Sequence, residues 1–173
     1  MKKIISFALI VTTFISSVAM AQDDKSKRPS PPAKAEATLQ NGTVISIDYS
    51  QPSVKGRTVG KDLEPLSGKV WRTGANEATV FEVSKDVKIE GQSLKAGKYG
   101  LFTIVDGDNW TIIFNKTWKQ WGAFTYKESD DVLRVKVRST KLTTTSERLT
   151  FTIFANGKVE LKWSDIDVAF NIQ

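Results

Sequence analysis

The stretch Leu133-Arg134-Val135-Lys136-Val137-Arg138 decides the fold class of this chain, because apolar and basic residues alternate strictly along it. Successive side chains of a β-strand point to opposite faces, so this stretch predicts a strand with one buried and one solvated face. The same alternation recurs along the chain around Ile45, Phe81, Ile112, Leu161 and Val168. Half-buried strands of this kind are typical of antiparallel sheets.

Turn residues stand between the alternating stretches. Asn41-Gly42 and Asn156-Gly157 each lie between two such stretches and are strong hairpin signals, because both turn residues accept a positive φ. The turns Glu90-Gly91-Gln92 and Asp106-Gly107-Asp108-Asn109 predict two further hairpins. Residues 99–105 are apolar on both faces, which predicts a strand at the centre of a sheet. About nine or ten short strands with frequent turns predict an all-β fold, an antiparallel β-sandwich or jelly-roll-like single domain.

The N-terminus has the order of a cleaved signal peptide. Lys2 and Lys3 precede a mostly apolar run at 4–18, and Ala19-Met20-Ala21 supplies the small residues that signal peptidase reads. Residues 1–21 are therefore predicted to be removed, which leaves a periplasmic or secreted protein. The run is shorter than the about 20 residues that a membrane span needs, so no span is predicted.

The composition changes again before the first alternating stretch. Residues 22–37 are basic and contain Pro29, Pro31 and Pro32, a composition that buries little apolar surface. We predict a disordered basic, Pro-rich linker there, and a β-sandwich domain at residues 38–173.

The residues that are missing exclude several kinds of chemistry. The chain contains no histidine and no cysteine. A Ser-His-Asp triad, a thiol nucleophile and the usual zinc sites are thereby excluded. Gly-rich phosphate loops and dinucleotide motifs are absent too, so no cofactor and no metal are predicted. The acidic turn at residues 106–109 lacks the remaining positions of a calcium loop and is interpreted as a solvated turn.

One irregular loop interrupts the alternation. Residues 71–79 bring an aromatic ring, a guanidinium, a carboxamide and a carboxylate together around Gly74. We predict a polar cleft near residues 52–79, since loops on a rigid scaffold commonly carry function. Arginines would bind anionic or carbonyl groups there, polar side chains would take hydroxyls, and a tryptophan would form an apolar wall. The candidate binding residues are Arg57, Trp71, Arg72, Asn76 and Glu77.

Three functions fit this loop. The chain is interpreted first as an exported binding or interaction module for a small molecule, a glycan or an envelope protein. The alternative from a different class is a carboxylate-dependent hydrolase of a carbohydrate-type substrate, in which Glu77 pairs with Asp48 or Glu64. The third is a structural envelope protein without a ligand, in which the loop is a buried plug. The residue content favours binding over catalysis.

Aromatic and basic residues suggest two further surfaces. Trp118, Trp121 and Tyr126 are secondary candidates for a binding platform, although aromatic residues of a small domain more often pack in its core. The basic residues at 134, 136 and 138 share one strand face and are interpreted as a solvated face. They lack the interleaved aromatic residues of a nucleic-acid surface, so no nucleic acid is predicted.

Five motifs carry a resemblance to a known family. They are YSQPSVKGR at 49–57, KVWRTGANEAT at 69–79, AGKYGLFTI at 96–104, WTIIFNK at 110–116 and QWGAF at 120–124. Together they resemble a family of exported bacterial proteins that is defined only as a domain of unknown function (DUF2911-like). The resemblance covers nearly all of the predicted domain. It implies a single exported domain and assigns no reaction, ligand or cofactor. Members with helical repeats after this domain imply an interaction role.

Overall fold

The structure is a computed structural model that describes residues 24–173. This part of the chain forms nine β-strands and two short 3₁₀ turns, Lys25–Lys27 and Glu128–Asp130, and contains no α-helix. The strands are β1 (Pro32–Thr38), β2 (Val44–Ser50), β3 (Thr79–Val83), β4 (Val87–Ile89), β5 (Gln92–Leu94), β6 (Gly97–Asp106), β7 (Asn109–Asn115), β8 (Asp131–Ile153) and β9 (Lys158–Asn171). The predicted signal peptide at 1–21 lies outside the described residues.

Seven strands form one antiparallel sheet, in the order β1-β2-β3-β6-β7-β8-β9, and β4 and β5 form a small second sheet. The predictions of an all-β antiparallel fold and of all four hairpins are confirmed. The central position of β6 is confirmed as well. Its neighbouring residues Leu101 and Phe102 are both buried, on opposite faces of the sheet.

The large sheet curls until strands that are distant in its order touch. Tyr49 of β2 and Phe151 of β8 stack edge to face with ring centroids 4.9 Å apart, although three strands separate them in the sheet. The backbone N–H of Phe151 also donates to the Tyr49 hydroxyl at 3.2 Å. This curl produces a sandwich-like domain with the main core on the inner face. Each fully buried large apolar side chain there contributes about 1.5 to 3 kcal/mol.

A smaller apolar cluster lies on the outer face. Phe102 and Ile113 are fully buried there with Ala78, under Ala123 and Tyr126 from the connection between β7 and β8. This connection, residues 116–127, is called the aromatic loop below. It lies over the outer face beside the loop at residues 71–79, because Ala78 N–H donates to Gln120 O.

The predicted linker at residues 22–37 is wrong for the part that forms β1. Pro32–Thr38 pairs with β2 along its whole length, and Ala35 is buried. The physical reason is an alternation in which small alanines point inward and Lys34 and Glu36 point outward. Pro32 is compatible with this strand because it stands at the first position of a sheet edge, where a missing N–H does no harm.

Candidate functional site

The loop at residues 71–79 is fixed to the sheet at its first residue. The backbone of Trp71 pairs with Thr103 of β6 through two hydrogen bonds of 2.8 and 2.9 Å. The indole is buried and packs edge to face on Trp110 at 6.4 Å. Its Nε1–H donates to the carbonyl of Gly74 at 3.0 Å, which closes the loop on itself.

The middle of the loop has no spare space. A Cβ on Gly74 would lie 2.8 Å from Thr79 Oγ1 and 3.2 Å from the carbonyl oxygen of Ser50. Thr79 Oγ1 donates to the carbonyl of Thr73 at 2.9 Å. Thr73 adopts a positive φ of 52°, although it is not a glycine. The backbone of this half of the loop is therefore rigid, and it fixes the position from which the Arg72 side chain extends.

Arg72 points into a cavity of about 200 Å³ between the loop and β9. Its Nε is buried and has no hydrogen-bond partner among residues 24–173. Burial lowers the pKa of the Arg72 guanidinium from its ordinary value, and the charge of Glu64 acts in the opposite direction. A guanidinium stays protonated in proteins, so the cavity contains a fixed positive charge with an unused donor.

Two charged residues share this cavity with Arg72. Arg57 is held by backbone carbonyls, since its Nε donates to Val54 at 3.1 Å and its Nη2 to Ser53 at 2.8 Å. Glu64 Oε2 accepts from the backbone N–H of Leu66 at 2.7 Å. The polar end of the cavity is thus two guanidinium groups and one carboxylate. Its apolar wall consists of Pro52, Leu63, Trp71 and Trp163.

Asn76 and Glu77 do not line that cavity. Asn76 Nδ2 donates to the carbonyl of Ser30 at 2.9 Å. The Glu77 carboxylate accepts from Lys25 Nζ at 2.8 Å and from Arg28 Nη1 at 3.1 Å to each oxygen. Both side chains therefore bind the segment that precedes β1. The structure brings Arg57, Trp71 and Arg72 together and places Asn76 and Glu77 at a separate position.

The environment of Glu77 determines its protonation. Burial opposes its ionisation, but hydrogen bonds from Lys25, from its own backbone and from Arg28 outweigh burial and lower its pKa to about 2. The side chain is 38% exposed, so solvent screens part of this effect. A general acid at neutral pH needs a raised pKa, and Glu77 has the opposite. Asp48 is exposed and lines the same small cavity as Glu77, whereas Glu64 lines the Arg72 cavity.

The secondary aromatic candidates differ in exposure. Tyr126 packs on Phe102 at 5.1 Å, and its hydroxyl donates to Asp131 at 2.6 Å. Burial and this hydrogen bond raise the pKa of Tyr126 to about 12, so it is a neutral anchor of the aromatic loop. Trp118 is half-buried beneath Lys98 and Lys119, whereas Trp121 is 54% exposed.

Sequence reasoning did not associate several of these residues with the loop. Trp163 is recognisable from the sequence as an inward residue of β9, but no local signal places it beside Arg72, which is 91 residues away in the sequence. Lys25 and Arg28 were assigned to the linker. The sequence signal for these two residues is the basic composition before the prolines. A solvated linker has the same composition, so this signal does not identify partners for Glu77.

Two kinds of feature are absent from the described residues. No group of three or more acidic side chains within residues 24–173 is arranged to hold a metal ion. No helix in this part of the chain has the length and the apolar character that a membrane crossing requires.

Comparison with known proteins gives one result. A family model described as "Protein of unknown function (DUF2911)" matches residues 30–172. The match begins just before β1 and includes all nine strands, the loop at 71–79 and the aromatic loop. No curated protein and no solved structure matches the chain.

Proposed function

The chain belongs to this family of unknown function, as its motifs predict, and we propose that it is an exported binding module whose Arg72 cavity takes the carboxylate of a small molecule. The observation that carries the proposal is the buried Nε of Arg72, which has no partner among the described residues. An unsatisfied buried donor costs about 1 to 3 kcal/mol, and more when it is charged. A ligand with a planar pair of oxygens would recover that free energy.

The chemistry of the cavity selects the ligand. Guanidinium groups bind carboxylates through two parallel hydrogen bonds. Arg72 has an unused buried donor at Nε, whereas Arg57 already donates from Nε and from Nη2 to backbone carbonyls. Glu64 places a negative charge at the same end, so a dianion such as phosphate is repelled more strongly than a monocarboxylate. We therefore propose a monocarboxylate.

The apolar wall and the volume of the cavity limit the kind and the size of the ligand. Trp71, Trp163 and Leu63 favour a ligand with an apolar or aromatic part. The cavity of about 200 Å³ is below the roughly 300 to 1,000 Å³ of pockets for drug-sized ligands. A small acid fits this space, and so does a single acidic side chain of a protein partner.

A hydrolase has less support. A hydrolase would use Glu77 as its general acid or base. Its carboxylate is ion-paired with Lys25 and Arg28, however, and its pKa is lowered to about 2. Glu64, the carboxylate beside Arg72, has no second carboxylate in the lining of its cavity. Binding therefore accounts for the arrangement better than catalysis does.

The export part of the proposal rests on the sequence alone. Lys2, Lys3, the apolar run at 4–18 and Ala19-Met20-Ala21 support cleavage after Ala21 and release into the periplasm or the medium. Mass spectrometry of the protein from its native source tests this step. A mature chain that starts at Gln22 is expected, and an uncleaved cytoplasmic chain would contradict export.

Titration calorimetry of the purified protein with acetate, benzoate and indole-3-acetate tests the binding step. We expect saturable binding of at least one acid, tightest for those with a ring, and a loss of tenfold or more in Arg72→Met, since 1.4 kcal/mol corresponds to about tenfold. Arg138→Met is the matched control, because this arginine is 77% exposed and lies outside the Arg72 cavity. Equal binding by Arg72→Met and by the wild type would refute the site.

A further inference from the structure

The aromatic loop, residues 116–127, exposes two aromatic side chains to solvent. Phe124 is 84% exposed and Trp121 is 54% exposed. Single exposed apolar residues are ordinary on protein surfaces. Here two large rings occur within four positions of one another, on a loop that the fold holds in a fixed conformation, and exposure of this kind calls for a partner.

Hydrogen bonds fix both ends of the aromatic loop. Asn115 Nδ2 donates to the carbonyl of Lys127 at 3.0 Å and to Asp131 Oδ1 at 2.7 Å. Tyr126 donates to Asp131, whose carboxylate also accepts from Arg134 Nε at 2.7 Å. This partly buried network anchors the loop to the start of β8, so the exposed rings do not reflect a loosely held segment.

The middle of the aromatic loop is fixed to the loop at residues 71–79. Gly122 N–H donates to the carbonyl of Asn76 at 2.9 Å, and Ala78 N–H donates to the carbonyl of Gln120 at 3.0 Å. The rings of Trp121 and Phe124 are therefore held outward from a rigid base. Docking them on a partner requires little ordering of the backbone, which keeps its entropic cost low.

The charged residues of the aromatic loop have one sign. Residues 116–127 contain Lys116, Lys119 and Lys127 and no acidic residue. Two cations from elsewhere lie over the tryptophans, Lys98 over Trp118 at 5.6 Å and Arg28 over Trp121 at 5.8 Å. Both are paired with carboxylates, Lys98 with Glu82 at 3.0 Å and Arg28 with Glu77 at 3.1 Å, so the excess charge comes from the lysines of the loop itself. The surface of the loop is an apolar tip with a basic rim.

The neighbouring acidic residues do not cancel this rim. Asp131 is nearly buried and is bonded to Arg134. Asp130 is mostly buried and pairs with Lys116 at 3.3 Å, and Glu128 is exposed and pairs with Arg134 at 3.1 Å. Lys119 and Lys127, which flank the rings, remain on the exposed side.

We propose that the aromatic loop docks the protein on an anionic lipid surface. Trp121 and Phe124 would enter the interface between headgroups and acyl chains, while Lys119 and Lys127 bind the headgroup phosphates. Aromatic rings favour that depth, and each lysine near an anionic surface adds attraction. The chain would lie on the membrane without crossing it. This inference is independent of the carboxylate site, since it involves none of the residues that line the Arg72 cavity.

A glycan is the other partner that exposed rings suggest, and the polar side chains argue against it. A sugar stacked on Trp121 needs free donors and acceptors beside the ring. Gln120 Nε2 instead donates to the carbonyl of Thr117 at 2.7 Å, and Gln120 Oε1 accepts from Thr125 at 3.0 Å. Phe124, the most exposed ring, has no polar atom. Cations and bare rings suit lipid better than they suit sugar.

Vesicle sedimentation of the mature chain, residues 22–173, tests the proposal without the apolar run at 4–18. The probes are vesicles of phosphatidylglycerol with phosphatidylethanolamine and vesicles of phosphatidylcholine alone. Binding to the anionic vesicles is expected, with weaker binding to the neutral ones and a decrease as salt is added, because salt screens exposed charges. The double variant Trp121→Ala/Phe124→Ala should lower the partition coefficient by about tenfold or more. Lys119→Gln/Lys127→Gln should lower it on anionic vesicles only.

Phe154→Ala is the matched control, since this phenylalanine is also exposed and also lies beneath a lysine, Lys158, but stands on the turn between β8 and β9. It should bind like the wild type, and thermal melts should show that all variants are folded. Failure of the wild type to bind anionic vesicles, or equal losses in Phe154→Ala and in the loop variants, would overturn the proposal. Retention on an immobilised polysaccharide that Trp121→Ala abolishes, without vesicle binding, would overturn it in favour of a glycan.

Discussion

Replacing Arg72 by methionine should leave the folded protein at least as stable as the wild type. The native guanidinium is half-buried, and its Nε is buried without a hydrogen-bond partner among residues 24–173. Methionine keeps much of the apolar length of the side chain and removes the unsatisfied donor. The change also removes the attraction to Glu64, which at a partly exposed position is worth about 0 to 1 kcal/mol.

The expected magnitude follows from these two terms. Relief of an unsatisfied buried donor is worth about 1 to 3 kcal/mol. After the loss of the Glu64 attraction we expect a net gain of about 1 kcal/mol, within the range observed when buried charges are replaced by apolar residues of similar volume. For a domain of this size that gain raises Tm by roughly 2 to 4 °C.

Thermal melts followed by circular dichroism measure the effect, and Arg134→Met supplies the contrast. Arg134 donates to the nearly buried Asp131 and to the Tyr126 hydroxyl, so its removal leaves this carboxylate with the neutral donors of Asn115 and Tyr126 alone. The loss of a hydrogen bond between charged groups should cost about 2 kcal/mol. If Arg72→Met falls in Tm as far as Arg134→Met does, Arg72 is a structural residue of a plugged loop. The carboxylate proposal would then lose the observation that supports it.

Three further predictions concern the parts of the fold that hold the site. Removing residues 22–37 should destabilise the domain by at least about 3 kcal/mol, because the backbone hydrogen bonds between β1 and β2 are lost and each contributes about 1 kcal/mol net. An unchanged thermal melt would mean that this strand is dispensable. Glu77→Gln should lower the free energy of unfolding by about 1 kcal/mol at pH 7 and should have almost no effect below about pH 2. The pKa of Glu77 is about 2 in the folded state against the ordinary 4.5, so its contribution to stability is complete above about pH 5 and is lost as the pH falls. A difference in stability between variant and wild type that stays constant with pH would contradict the ion pairs. Gly157→Ala should cost more than Gly91→Ala, since both glycines have positive φ but only a Cβ at 157 meets the carbonyl of Ile172; equal losses in denaturant melts would refute that contact.

The sequence predicted those strands whose inward residues are large. The alternation of Leu133, Val135 and Val137 with basic residues determined β8, and residues 99–105 were recognised as central because both faces are apolar. Strand β1 was missed because its inward residues are alanines, whose small apolar surface gives little contrast with Lys34 and Glu36. Pro29, Pro31 and Pro32 indicated a linker, although Pro32 is the first residue of β1, a position where a strand tolerates proline.

The site was predictable only where its residues are close in sequence. Arg57, Trp71 and Arg72 belong to the irregular segment between β2 and β3, and the structure places them around one cavity. Trp163 reaches the same cavity from β9 because the sheet curls, and a curl leaves no local signal in a sequence. The ion pairs of Glu77 could not be predicted either, because Lys25 and Arg28 reach it from the segment immediately before β1, which was interpreted as a linker.

The different environments of Arg72 and Glu77 are an argument for a binding site. These two opposite charges stand five residues apart on one tight loop, and a loop that served only as a plug could satisfy both by pairing them with each other. Instead Lys25 and Arg28 from the segment before β1 satisfy Glu77, and Arg72 faces a cavity with an unused donor. Trp71 and Gly74 fix the backbone that holds the two side chains apart. The folded protein thus contains a charged donor that the described residues leave without a hydrogen bond, at a cost in stability. A ligand carboxylate is the group whose geometry matches that donor.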